Sequence, residues 1–173
     1  MSKIGDPEGK VVENLKMNRV AERLTQLLGK KVAKTDDCIL QKLPEEKIIL
    51  LENLRFHKEE GENDIAFAQK LASYGDVYVN DAFGVCHRKN ASMHAITQFL
   101  PGAIGLLVKK ELEYLNIEKM PKPIYSILGG AKLKTKIPLI ERMLSKADKV
   151  IVGGGMIFTF YAERGMNIGG SLL

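Results

Sequence analysis

Apolar positions along the chain follow two rhythms, a helical one and short continuous runs. Met17, Val20, Ala21, Leu24, Leu27 and Leu28 recur at helical spacing, and Gly29 stops that helix. Residues 31–34 read as a short strand. Lys47-Ile48-Ile49-Leu50-Leu51 is an apolar run of the sort buried in a parallel sheet. Asn63 or Asp64 then caps a helix that turns Ile65, Ala68, Leu71 and Ala72 inward and ends near Gly75. Val77-Tyr78-Val79 follows as a strand. Residues 104–118 read as a longer helix with Leu107, Val108, Leu112 and Leu115 on one face.

Pro121 and Pro123 punctuate the chain, which places a domain boundary there and divides it into residues 1–120 and 121–173. Beyond them the pattern becomes regular. A strand over 124–128 leads through Gly129-Gly130 to a helix over 135–146, with Pro138 in its first turn. A strand over 149–152 leads through Gly153-Gly154-Gly155 to a helix over 156–164 that Gly165 ends. Strands alternating with helices give the α/β class with a mainly parallel sheet. Two strands are too few to bury both faces of such a sheet, so the sequence reads as a piece of a larger fold.

Composition narrows the setting. The chain has 173 residues, 45% hydrophobic and 27% charged, a globular balance rather than a disordered one. No apolar run approaches the roughly 20 residues a membrane-spanning helix needs. Met1-Ser2-Lys3-Ile4-Gly5-Asp6-Pro7 has no apolar segment of a secretory leader. Cys38 and Cys86 form no CxxC pair, so a reducing, cytoplasmic location is expected. The net charge of +5 suits either nucleic acid or a small anion. Scattered lysines, no Trp and 6% aromatics argue against nucleic acid.

Two strand–glycine–helix turns in succession are a phosphate-binding geometry. Glycine admits a close anion, and the following helix offers free N–H groups and a positive dipole end. Lys132, Lys134 and Lys136 alternate along the first turn and repel one another unless an anion or solvent lies among them. A tight turn with solvated lysines fits equally well. No GxxxxGK[ST] is present, and Phe158 stands where a dinucleotide fingerprint beginning at Gly153 needs its third glycine. Arg55 and Arg88 each follow a strand, where open α/β sheets bind ligands, and two guanidiniums there would fork a phosphate or carboxylate. The plainer alternative for either is a surface residue or a partner for Glu52 or Asp81. His57, His87 and His94 show no helix-spaced metal pair and no neighbouring carboxylates, so no metal ligands are expected. Cys86 and His87 are adjacent and point apart, which excludes a nucleophile pair.

Four motifs in order resemble phosphoglycerate kinases. They are Leu50-Leu51-Glu52-Asn53-Leu54-Arg55-Phe56-His57, Val77-Tyr78-Val79-Asn80-Asp81-Ala82-Phe83-Gly84 with His87-Arg88, Gly129-Gly130-Ala131-Lys132 with Lys136, and Gly153-Gly154-Gly155-Met156 with Thr159-Phe160. The resemblance implies a two-domain, doubly wound (Rossmann-like) glycolytic enzyme. Such an enzyme transfers a phosphoryl group between 1,3-bisphosphoglycerate and MgADP, giving 3-phosphoglycerate and MgATP. Residues 1–120 would belong to the phosphoglycerate-binding domain and 121–173 to the start of the nucleotide domain. The resemblance implies that Arg55 and Arg88 bind phosphoglycerate and that Lys132, with Arg88, serves catalysis. Gly130, Ala131, Lys132, Lys136, Gly153, Gly154 and Gly155 would meet the nucleotide. Mg2+ would arrive on the nucleotide, with no tightly bound cofactor.

Departures from the family pattern temper this. Ser2-Lys3-Ile4-Gly5-Asp6-Pro7 resembles the family's Ser-His-Leu-Gly-Arg-Pro loop, with Lys3 for the histidine and Asp6 for the arginine. The 173 residues contain neither the family's Arg-Val-Asp-Phe-Asn strand nor its Gly-Gly-Gly-Asp-Ser phosphate loop. The chain alone is therefore expected to be inactive, and as an isolated piece to self-associate where the full-length family is monomeric. The alternative is a non-enzymatic relative that binds anions or serves as a scaffold.

Overall fold

The computed structural model describes residues 1–130 and 133–171. The chain forms two compact units, Met1–Leu112 and Glu113–Leu173.

In the first unit, helix α1 (Asn18–Leu28) ends on Gly29, whose left-handed φ of 60° costs no side-chain clash. Its inner face joins Met17, Val32 and Leu50 in a small core, while Leu27 and Leu28 in the last turn are exposed. Strands β1 (Ala33–Lys34) and β2 (Ile49–Leu50) pair in parallel, Ala33 opposite Ile49 and Lys34 opposite Leu50. A short helix that periodicity does not reveal, α2 (Lys58–Glu62), closes on Asn63 at φ 58°. Asp64 then caps α3 (Ile65–Ala72) by accepting the Phe67 N–H at 2.7 Å. The two candidate caps thus have separate jobs: Asn63 ends one helix and Asp64 starts the next. Phe67, Ala68, Leu71 and Ala72 are buried in the larger core of this unit, but Ile65, expected inward, is 47% exposed.

The helix expected over 104–118 is shorter than its periodicity suggests. Strand β3 (Tyr78–Asn80) pairs in parallel with β4 (Gly102–Ile104), so the first residue of that stretch, Ile104, belongs to a strand. Helix α4 is Leu106–Tyr114. Its start is capped from a distance: Asp81 accepts the Val108 N–H at 3.0 Å. A β-carbon at Gly105 would overlap the Asp81 carboxylate, so only glycine fits this junction. Of the predicted apolar face, Val108 is buried, while Leu107, Leu112 and Leu115 are exposed.

In the second unit, β5 (Tyr125–Gly129) and β6 (Lys149–Gly153) pair in parallel from Tyr125 opposite Lys149 to Gly129 opposite Gly153. Helices α5 (Ile137–Leu144) and α6 (Met156–Glu163) follow the two strands, with Pro138 tolerated in the first turn of α5. Among the described residues, only Ile140 and Met156 are buried here, while Tyr125, Ile127 and Ile151 are exposed along one sheet face. Among the described residues the strands form three parallel pairs, and no helix is long and apolar enough to cross a membrane.

Candidate anion site and the glycine turns

The chain leaves β2 through two buried polar residues. Glu52 accepts the N–H groups of Met17 (2.8 Å) and Asn53 (2.7 Å) and pairs with Lys34 at 2.7 Å. Burial pushes its carboxyl up, but the Lys34 hydrogen bond, these two N–H groups and the Lys34 charge outweigh burial and hold it below the usual range. Asn53, fully buried, donates to the carbonyls of Ile4 (2.9 Å) and Leu15 (3.1 Å) and accepts the N–H groups of Ile4 (3.3 Å) and Arg55 (3.1 Å). One amide thus fixes the N-terminal loop and the 3-10 turn Leu54–Phe56 that bears Arg55. The Arg55 guanidinium donates to the Gly5 carbonyl. Glu52 is therefore the partner of Lys34, and Asp81 caps α4. Neither arginine pairs with Glu52 or Asp81, and Arg88 is an exposed surface residue.

Arg88 lies in the loop after β3, its N–H donating to the Val85 carbonyl at 3.0 Å. Glu60 anchors the continuation of that loop. Its carboxylate accepts the Ser92 N–H (2.9 Å) and hydroxyl (2.8 Å), and its carbonyl accepts the Ala91 N–H at 2.9 Å. The same carboxylate holds the Lys3 ammonium at 2.7 Å, with the Lys3 side chain only 10% exposed. Lys3 is thereby engaged inside the fold.

Arg55 and Arg88 line one cavity of about 440 Å³, as their positions after successive strands suggest. Asp6, Glu8, Lys58 and Glu62 share its wall. With Glu60 occupied by Lys3 and Ser92, three carboxylates face Arg55, Lys58 and Arg88. The cavity brings forked donors together but is electrostatically balanced, and Asp6 belongs to the opposing set.

The glycine turns meet each other. Gly129 lies opposite Gly153 in the sheet, and Gly154 adopts φ 65° beside the Gly130 backbone. The first three amides of α6 are bonded: Met156 N–H to the Gly130 carbonyl (3.0 Å), Ile157 to Gly154 (3.2 Å) and Phe158 to Gly155 (3.3 Å). The free N–H groups expected from the sequence at this helix start are therefore taken by neighbouring carbonyls, the first across the crossing to Gly130 and the next two within the local turn. The Lys136 side chain runs beside Gly130, its Cε 3.8 Å from where a β-carbon would stand. Ala131 and Lys132 lie outside the described residues.

His57 also lines the cavity of Arg55 and Arg88. Sequence spacing gives it no carboxylate, but the fold places Asp37 Oδ1 2.6 Å from His57 Nε2. Their separation of 20 positions hid the pair.

The comparisons with known proteins agree with the order of the motifs. The family model for phosphoglycerate kinase matches residues 1–173. The phosphoglycerate kinase of Rippkaea orientalis is 50% identical over 182 residues, covering 99% of this chain and 46% of the relative. The chloroplastic phosphoglycerate kinase of Volvox carteri is 47% identical, covering 99% of this chain and 39% of the relative. The solved structure from Coxiella burnetii superposes with a TM-score of 0.79 at 36% identity, over 99% of this chain and 45% of that one. The chain spans less than half the length of these relatives. Matched from end to end by the family and superposing on its solved structures, the chain belongs to the phosphoglycerate kinase family.

Proposed function

We propose that these residues supply the phosphoglycerate side of a phosphoglycerate kinase and the opening of its nucleotide side. The reaction is reversible phosphoryl transfer between 1,3-bisphosphoglycerate and MgADP. Phosphoryl transfer needs positioned positive charge more than covalent chemistry, which is what a pair of cavity arginines offers. In this reading residues 1–120 bind phosphoglycerate through Arg55 and Arg88, and 121–173 begin the nucleotide site through Gly130, Ala131, Lys136, Gly153, Gly154 and Gly155. Lys132 stabilises the transferring phosphoryl group together with Arg88. MgATP and MgADP are substrates, and the expected location is the cytoplasm.

The observation that carries the proposal is the convergence of Arg55 and Arg88 on one cavity. Asp6 in the same wall predicts weak binding. A unit charge at about 4 Å is worth about 4 kcal/mol at an effective dielectric of 20, and solvent and salt reduce it. The test is calorimetric titration of 3-phosphoglycerate into the parent, Asp6→Arg, Arg55→Ala and Arg88→Ala chains. The expected order is Asp6→Arg tightest, the parent weaker, and the two alanine variants weakest. Alanine variants that bind like the parent would remove Arg55 and Arg88 from the site. A coupled assay of the 173 residues alone is expected to show no phosphoglycerate-dependent ATP consumption.

A further inference from the structure

At the edge of the arginine cavity, Asp37, Cys38 and His57 each offer one ligand atom, and all three atoms lie within 4.8 Å of one another. We propose that this triad is a site for a borderline-soft divalent cation such as Zn2+, held by one sulfur, one imidazole nitrogen and one carboxylate oxygen, with solvent as fourth ligand. Thiolate, imidazole and carboxylate are the donors zinc takes, and three protein ligands plus an open position is a common zinc arrangement.

The donors are held in place before any cation arrives. Asp37 Oδ1 accepts the N–H groups of Cys38 (2.6 Å) and Ile39 (3.3 Å). The His57 ring lies tilted on Phe67 at a centroid distance of 5.4 Å. Cys38 is fully buried, while the Asp37 and His57 side chains are 50% and 28% exposed, so entry is from their side. A tetrahedral cation with metal–ligand bonds near 2.1 Å separates its donor atoms by about 3.4 Å. The 2.6 Å His57–Asp37 contact then has to open by less than about 1 Å.

The chemistry balances without a redox partner. The cation takes the place of the proton between His57 Nε2 and Asp37 Oδ1, which passes to solvent and leaves a neutral imidazole protonated at Nδ1. The Cys38 S–H bond breaks, its proton also passes to water, and metal–nitrogen, metal–oxygen and metal–sulfur bonds form. Burial, followed by the Asp37 charge and hydrogen bond, pushes the thiol up in the cation-free protein. A bound divalent charge reverses that preference, because a coordinating thiol is deprotonated. His57 also lines the arginine cavity, so a bound cation would add positive charge at the edge of the anion site.

The experiment is Cd2+ titration of the whole chain, followed by the ultraviolet thiolate-to-metal absorption and by displacement with Zn2+. One equivalent should produce the band in the parent and in Cys86→Ser. It should vanish in Cys38→Ala, and Asp37→Asn and His57→Gln should each weaken binding at least tenfold. Circular dichroism checks the fold of each variant; if Cys38→Ala does not fold, Cys86→Ser and His57→Gln decide. A parent without the band, a band lost with Cys86 instead of Cys38, or His57→Gln binding like the parent would overturn the proposal.

Discussion

Gly154 crosses Gly130 so closely that a β-carbon on Gly154 would stand 3.1 Å from the Gly130 nitrogen and 3.2 Å from its carbonyl oxygen. The obstacle is backbone, which cannot swing aside as a side chain could. Gly154 also holds φ 65°, a region that costs other residues about 1–2 kcal/mol. Gly154→Ala should therefore lose at least that much protection against hydrogen exchange in β5 and β6. Gly129→Ala, with no described atom near its missing side chain, should be neutral or slightly protective. Equal losses in both variants would show that the crossing is not what demands glycine.

The Lys3–Glu60 pair predicts an asymmetric response. Glu60 is 1% exposed and its carboxylate serves Lys3 and Ser92 together. Lys3→Met strands a buried carboxylate and should destabilise the chain by about 3 kcal/mol in urea denaturation. Adding Glu60→Gln removes the stranded charge and should recover part of the loss. A Lys3→Met chain as stable as the parent would show that the ammonium does not support Glu60.

Glu52 sets the direction of one acid response. Its folded carboxyl is held below the ordinary value of about 4.3, so its contribution is present above that pH and lost as pH falls through the folded value. Asp37 acts with the same sign, because the hydrogen bond and charge of His57 and the N–H groups of Cys38 and Ile39 outweigh burial. Urea midpoints between pH 7 and 3 should fall on the acid side, and Glu52→Gln should flatten that fall. An unchanged pH profile in Glu52→Gln would assign the acid sensitivity elsewhere.

The two units should differ in protection. Both cores assembled from buried clusters lie within Met1–Leu112. Glu113–Leu173 buries only Ile140 and Met156 among its described residues and leaves Ile127 75% exposed. Hydrogen exchange should therefore find β5 and β6 opening more readily than β2 and β3. Equal, high protection of both units in a monomer would refute this, whereas protection that appears only with dimer formation would reveal mutual covering.

Much of the framework was legible because it rests on local chemistry. Gly29 as a helix stop, Asp64 as a cap and the apolar 124–128 and 149–152 runs each announce an element within a few residues. Arg55 and Arg88 were legible as candidates because each follows the end of a strand, and they line one cavity although β2 and β3 pair with different partners. What escaped depends on distant partners. The start of α4 is set by Asp81, 27 positions before Val108, and the partner of β3 is a three-residue strand that carries no periodicity of its own and shares Ile104 with the expected helix. The bond of the Met156 amide required the crossing of Gly130, and His57 beside Asp37 required the packing of two loops.

In mechanical terms, Asn53 is a pivot and Arg55 the short arm fixed to it. The same side chain that steadies Arg55 also grips Ile4 and Leu15, which stand 49 and 38 positions away in the chain. A disturbance at Leu15, ahead of α1, therefore reaches the Arg55 backbone through a single amide, while the Gly5 carbonyl holds the guanidinium. Arg55 inherits its placement from a residue outside the cavity wall, and the alignment of that wall is governed from its rear.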